Sequence, residues 1–122
     1  MMATQDTCCT LVPYFKVAEG KLDEFRGLCE QFMEITEKNE PNCLYYGFSI
    51  KDDVVYCREG YANAEAVLAH LDNAGALLGE ALKICEIARL EVHGPEGELA
   101  KLRGPLADLN PEYYVLEYGF RR

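Results

Sequence analysis

The sequence predicts an α+β fold in the order strand, helix, strand, strand, helix, strand, with an additional C-terminal helix and strand. Three observations predict it. Two stretches repeat apolar residues at the three- and four-residue spacing of a helix, and short β-branched or aromatic runs flank them. A polar Lys51-Asp-Asp53 joins two of those runs as a hairpin turn. The runs are apolar at both odd and even positions, so both faces of the sheet need covering. At 122 residues the chain is expected to be one domain spanning 1–122, with residues 1–7 a flexible N-terminus.

The elements follow in order. Residues 8–17, Cys-Cys-Thr-Leu-Val-Pro-Tyr-Phe-Lys-Val, read as a first strand, with Pro13 at an edge or bulge because it lacks a backbone donor. A helix over about Lys21 to Lys38 presents Leu22, Phe25, Cys29 and Phe32 as one stripe, with Asp23, Glu30, Glu34 and Glu37 on the opposite face. Pro41 ends it, since the residue before a proline avoids helix. Cys43 to Ile50 and Val54 to Tyr61 form the hairpin, and Asn63 caps a second helix from Ala64 to about Asn73. Ala74 to Leu82 is expected to be helical but bent near Gly75 and Gly79. Ile84 to Val92 is a fourth strand. Glu98 to Leu109 is a short helix interrupted at Gly104-Pro105, and Tyr113 to Phe120 is a fifth strand. The core order is that of the ferredoxin-like fold, with two helices on one sheet face.

The second face sets the expectation about assembly. In the second strand Leu44, Tyr46, Phe48 and Ile50 oppose Cys43, Tyr45 and Gly47; in the first, Leu11 and Phe15 oppose Val12 and Tyr14. Alternation alone leaves open which face points at the helices. A bare apolar sheet is larger than soluble monomers expose, and a second copy is the simplest cover, so a homodimer is expected. Its last strand is a candidate to pair with the partner's sheet.

Composition narrows the partners. Net charge is −9, with 21 acidic against 12 basic residues, which disfavours nucleic acid and anionic membranes. No run approaches the roughly 18 apolar residues of a membrane span. The N-terminal Met-Met-Ala-Thr-Gln-Asp-Thr lacks the basic and apolar regions of a signal peptide, so a cytoplasmic location with reduced cysteines is expected. The six cysteines include no C-x-x-C pair and only two histidines accompany them, so no metal site is expected. Dinucleotide, phosphate-loop, hydrolase-elbow and zincin motifs are all missing.

Candidate chemistry gathers in Arg58-Glu-Gly-Tyr-Ala-Asn-Ala-Glu-Ala-Val-Leu-Ala-His70, the end of a strand followed by a helix. Histidine is the side chain whose unperturbed pKa lies nearest neutrality, and a strand glutamate beside it makes a proton-moving pair. His70 and Glu59 are the catalytic candidates. Their alternatives are a half-buried structural histidine and a glutamate paired with Arg58 or Lys16. Were the two buried together, the histidine would be expected to lower the carboxylate's pKa. Tyr14, Phe32, Tyr46, Phe48 and Tyr61 are the candidate substrate contacts, lining an apolar pocket for a small apolar or aromatic molecule. His93, beside Glu91 on the fourth strand, reads as exposed.

The set Glu59, Tyr61, Ala69 and His70 resembles the antibiotic biosynthesis monooxygenase family, loosely over residues 8–95. This chain has Gly75 where that family often carries a second histidine. The resemblance implies a dimeric α+β barrel, in which two sheets share one barrel. It also implies a cofactor-independent monooxygenase acting on a small phenol or quinol. The chain has no tryptophan, whereas haem-degrading relatives resemble one another in a pocket Asn-Trp-His set. The alternative is a non-catalytic protein on the same scaffold that binds an apolar or fatty-acid-like ligand.

Overall fold

In a computed structural model of the protein, residues 5–122 are described; residues 1–4, part of the segment expected to be flexible, lie outside them. The strands are β1 (Cys9–Val17), β2 (Cys43–Lys51), β3 (Val54–Tyr61), β4 (Cys85–Gly94) and β5 (Glu112–Val115). The helices are α1 (Leu22–Asn39), α2 (Ala64–Ala81) and α3 (Glu96–Leu102), with a 3-10 turn at Ala107–Leu109. The sheet order is β2-β3-β1-β4-β5. β1 is antiparallel to both β3 and β4, and β2 is antiparallel to β3. This is the ferredoxin-like arrangement with a C-terminal addition.

The register settles which face looks at the helices. Leu11, Phe15, Val55, Cys57, Leu90 and Val92 point inward and are buried, against Phe25, Cys29 and Phe32 of α1 and Val67 and Ala74 of α2. Burying a side chain of this size stabilises the fold by roughly 1.5–3 kcal/mol before entropy is counted. α2 starts where Asn63 accepts the Ala66 amide at 2.9 Å, as its cap residue should. It then runs unbroken through Gly75 and Gly79, where a bend had been expected. Each interior glycine costs about 1 kcal/mol relative to alanine. Burial of Ala74 and Ala81, with Leu77 and Leu78 packed beside them, outweighs that.

The outer face carries aromatic rings whose tips are satisfied by polar groups. Tyr14 donates to Glu91 at 3.0 Å and meets Tyr56 edge-on at 5.1 Å. Tyr45 and Thr10 share a hydrogen bond of 2.7 Å, and the Tyr45 ring lies over Gly60, where a Cβ would fall 2.1 Å from it. Arg58 and Arg89 cover Tyr45 and Tyr14.

The C-terminal addition differs from expectation in two ways. α3 begins at Glu96, directly after Pro95, whose fixed φ suits a helix start. Residues 112–115 pair with β4 of the same chain, parallel, with Val92 opposite Tyr113, and the strand stops at Val115. A parallel pair needs a crossover, and α3 with the segment after it supplies one, burying Leu99, Leu102 and Leu106 completely.

Candidate functional site

The inward faces of β1, β2 and β3 diverge from α1 and α2 around a narrow apolar cavity. β1 contributes Leu11, Pro13 and Phe15; α1 contributes Phe32; β2 contributes Tyr46 and Phe48. α2 closes one side with Leu71, Ala74 and Leu78, and β4 with Ile87 and Leu90, while Leu109 of the 3-10 turn adds a wall. The free volume is about 60 Å³, which at roughly 10–15 Å³ per water holds a handful of waters. A fused aromatic enters only as side chains rotate.

Two ionisable residues interrupt this lining: His70 and Glu59. Alternation places Glu59 on the same face of β3 as Cys57 and Tyr61, and it is 5% exposed. His70 projects from α2 toward it and is 6% exposed, deeper than a boundary position. Its Nε2 lies 3.6 Å from Glu59 Oε1. Tyr46 and Tyr61 flank the imidazole, with ring centroids 5.3 Å and 5.4 Å away. Tyr61 donates to Glu59 Oε1 at 2.5 Å, so its hydroxyl is spent on the carboxyl.

His70 does act to lower the Glu59 pKa, as expected, but the net shift is upward. Burial raises it above the ordinary carboxylate value, outweighing the favourable effects of His70, Tyr61 and Cys57. The Tyr46 and Tyr61 hydroxyls are also pushed up, first by burial and then by Glu59. The cysteines nearby are not nucleophiles. Burial pushes the Cys43 thiol up to about 11, with Glu40 and Glu59 adding to it.

The third member of the cluster is Glu40, which the sequence reading passed over. It follows α1 directly, and its side chain is 5% exposed. Its Oε2 and Oε1 lie 2.9 Å and 3.0 Å from His70 Nδ1. Asn73, one turn of α2 beyond His70, donates to Glu40 Oε2 at 2.7 Å and to the Ile35 carbonyl at 3.0 Å. Thirty positions separate Glu40 from His70, and no helical or strand period links them. A buried carboxylate after a helix end, ahead of Pro41, is the sole signal, and polar residues are common there.

Of the other candidates, Phe32, Tyr46 and Phe48 lie together along the cavity, Phe32 and Phe48 with centroids 6.1 Å apart. Tyr61 sits behind Glu59 and is fully buried. Tyr14 is not brought to the cavity. It occupies the outer sheet face, because Pro13 and Phe15 on either side of it point inward. Among the described residues no group of three or more potential ligands is placed to hold a metal ion.

A family model described as antibiotic biosynthesis monooxygenase matches residues 9–77, which carry β1 to α2 and all three members of the cluster. The chain belongs to the antibiotic biosynthesis monooxygenase family. Its fold is shared with other family-like chains of known structure. The crystal structure of MupZ from Pseudomonas fluorescens is similar at 46% identity, covering 96% of each chain with a TM-score of 0.91. A conserved protein from Methanosarcina mazei Go1 is 17% identical over 70% of this chain and 90% of its own, with a TM-score of 0.61. Rv0793 from Mycobacterium tuberculosis is 16% identical over 72% and 94%, again at 0.61. These two show the fold alone. No curated protein matches the chain. The family match ends at residue 77, whereas the likeness to MupZ takes in nearly all of the C-terminal addition.

Proposed function

We propose that the protein is a cofactor-independent monooxygenase that oxidises a small phenol or quinol in the cavity between sheet and helices. The observation carrying this reading is an imidazole whose Nδ1 is occupied by a carboxylate while its Nε2 borders an otherwise apolar cavity. Such a base removes the hydroxyl proton of an electron-rich ring. The resulting phenolate supplies electrons to dioxygen. As a ring C–H becomes a carbonyl, four electrons pass to O2; one oxygen atom enters the product, and the other leaves as water with the two protons removed. Burial holds the Glu59 carboxyl above its ordinary pKa, which favours its neutral form beside a phenolate. Phe32, Tyr46 and Phe48 would hold the ring. Among the described residues no helix is long and apolar enough to cross a membrane, and a cytoplasmic homodimer is part of this reading. Support for the dimer comes from family membership and from exposed Leu44, Ile50, Tyr118 and Phe120.

The test is oxygen uptake with a panel of naphthols, anthrones and quinols. Uptake well above background that collapses in His70→Ala supports the proposal; no uptake, or uptake indifferent to His70, ends it. Light scattering should report twice the mass of one chain. A second reading, a non-catalytic carrier of an apolar molecule, is favoured by the nearly unbroken apolar lining of the cavity. It predicts a co-purifying aliphatic ligand in native mass spectrometry and no turnover.

A further inference from the structure

We infer that Glu40 is the positioning residue of this site: it holds His70 in the one tautomer whose Nε2 lone pair faces the cavity. The inference rests on the reading of His70 as the base and adds the group that prepares it.

Three observations carry it. First, an ionised carboxylate only accepts hydrogen bonds. With both Glu40 oxygens within 3.0 Å of Nδ1, that nitrogen is the donor and Nε2 is left unprotonated toward Glu59 and the cavity. Second, Glu40 is itself held. Its amide donates to the Thr36 carbonyl at 3.0 Å, its carbonyl accepts from Cys43 at 3.1 Å, and its Oε2 accepts from Asn73. Third, Asn73 is tied to Ile35 as well, so α1 and α2 fix the carboxylate from both sides. When Nε2 takes a proton, the new positive charge forms beside a buried acceptor already in place and needs no rearrangement. The other titratable groups coupled to Glu40 are Glu59 from β3 and Cys43 from β2, while both short contacts of Nδ1 are to Glu40.

A purely structural role, tethering the end of α1 to α2, is the competing account, and the tautomer separates the two. With two histidines in the chain, His93→Gln leaves one nitrogen-15 ring signal pair to assign to His70. The neutral ring in the wild-type dimer or monomer is expected to carry its proton on Nδ1. A ring protonated on Nε2 overturns the inference whether or not any phenol is oxidised. In Glu40→Gln, whose amide can donate as well as accept, the signals should shift toward a mixture of tautomers. Turnover should then fall about 10- to 100-fold in kcat with KM within about twofold, and Glu40→Asp should recover part of it. An unchanged tautomer in Glu40→Gln, with only a lower melting temperature, sinks the inference. If Glu40→Gln does not fold, the wild-type spectrum alone decides. If no substrate is turned over, the proposed activity fails while the tautomer measurement still judges Glu40.

Discussion

Each of the chain's two histidines has a glutamate partner, one pair on each face of the sheet, and the two pairs behave oppositely. On the outer face His93 Nε2 lies 2.8 Å from Glu91 Oε1, stacked on Tyr114, with its side chain 39% exposed. Glu91 also receives Tyr14 and faces Arg89, and these partners hold its carboxyl below the usual range, the His93 bond first. On the inner face Glu59 also has a histidine neighbour and two hydrogen-bond donors, yet its pKa rises because burial dominates. Proximity to a histidine therefore does not decide how a carboxylate titrates; the surrounding medium does. Where hydrogen bonds and a cation outweigh burial, as at Glu91, the carboxyl is held low; where phenylalanines and leucines seal the site, as at Glu59, burial wins and it is held high.

The sharpest way to break this contrast is to remove each ring in turn. His70→Ala should lower oxygen uptake by roughly 10²–10⁴-fold, the usual range for a lost general base, while His93→Ala stays within about twofold. Chemical denaturation should follow suit. His70→Ala strands Glu40 and Glu59 and should cost about 3 kcal/mol, against under about 1 kcal/mol for the half-exposed His93.

The next effect is a pH slope. Glu59 is raised in the folded state, so above the ordinary carboxylate pKa the unfolded chain holds fewer protons than the native one. Stability attributable to Glu59 is therefore lost as pH climbs from that value toward its folded pKa, by at most about 1.4 kcal/mol per unit. Glu59→Gln should flatten this decline relative to wild type in urea midpoints taken at pH 5, 6 and 7.5. Parallel curves for the two proteins would mean that Glu59 ionises normally.

The smallest effect belongs to Glu91, where the sign reverses. Its contribution is present above the unfolded carboxylate pKa and disappears as pH falls through its lower folded value. Glu91→Gln should cost under about 1 kcal/mol at neutral pH and nothing measurable in acid. A larger loss would show that the outer face is drier in solution than in a single chain, as the proposed homodimer would make it.

How much of this could be read from the residues follows from which periods they obey. The element order, the hairpin and the Asn63 cap are local, and local patterns reported them. The choice of sheet face was not local. β2 is apolar at both parities, so only packing against Phe32 could send Tyr46 and Phe48 inward, and Tyr14, next to inward-facing Pro13, outward. Glu59 and His70 lie on consecutive elements and were found together, whereas Glu40 reaches the same cluster only through the docking of α1 on α2. The direction of the Glu59 shift depends on burial, which a lone glutamate in a strand does not announce. Pairing of the last strand with the partner stood as a candidate because nothing in Tyr113 to Val115 reveals that α3 turns the chain back onto its own sheet.

Leu109 arrives in the cavity from this C-terminal turn, beyond the stretch the family model matches, while Glu40, Glu59 and His70 stand entirely within it. One wall of the cavity is thus written in a different stretch of chain from the histidine and its two carboxyls. A lineage, or an engineer, could lengthen the chamber at its Leu109 wall and leave that cluster unedited.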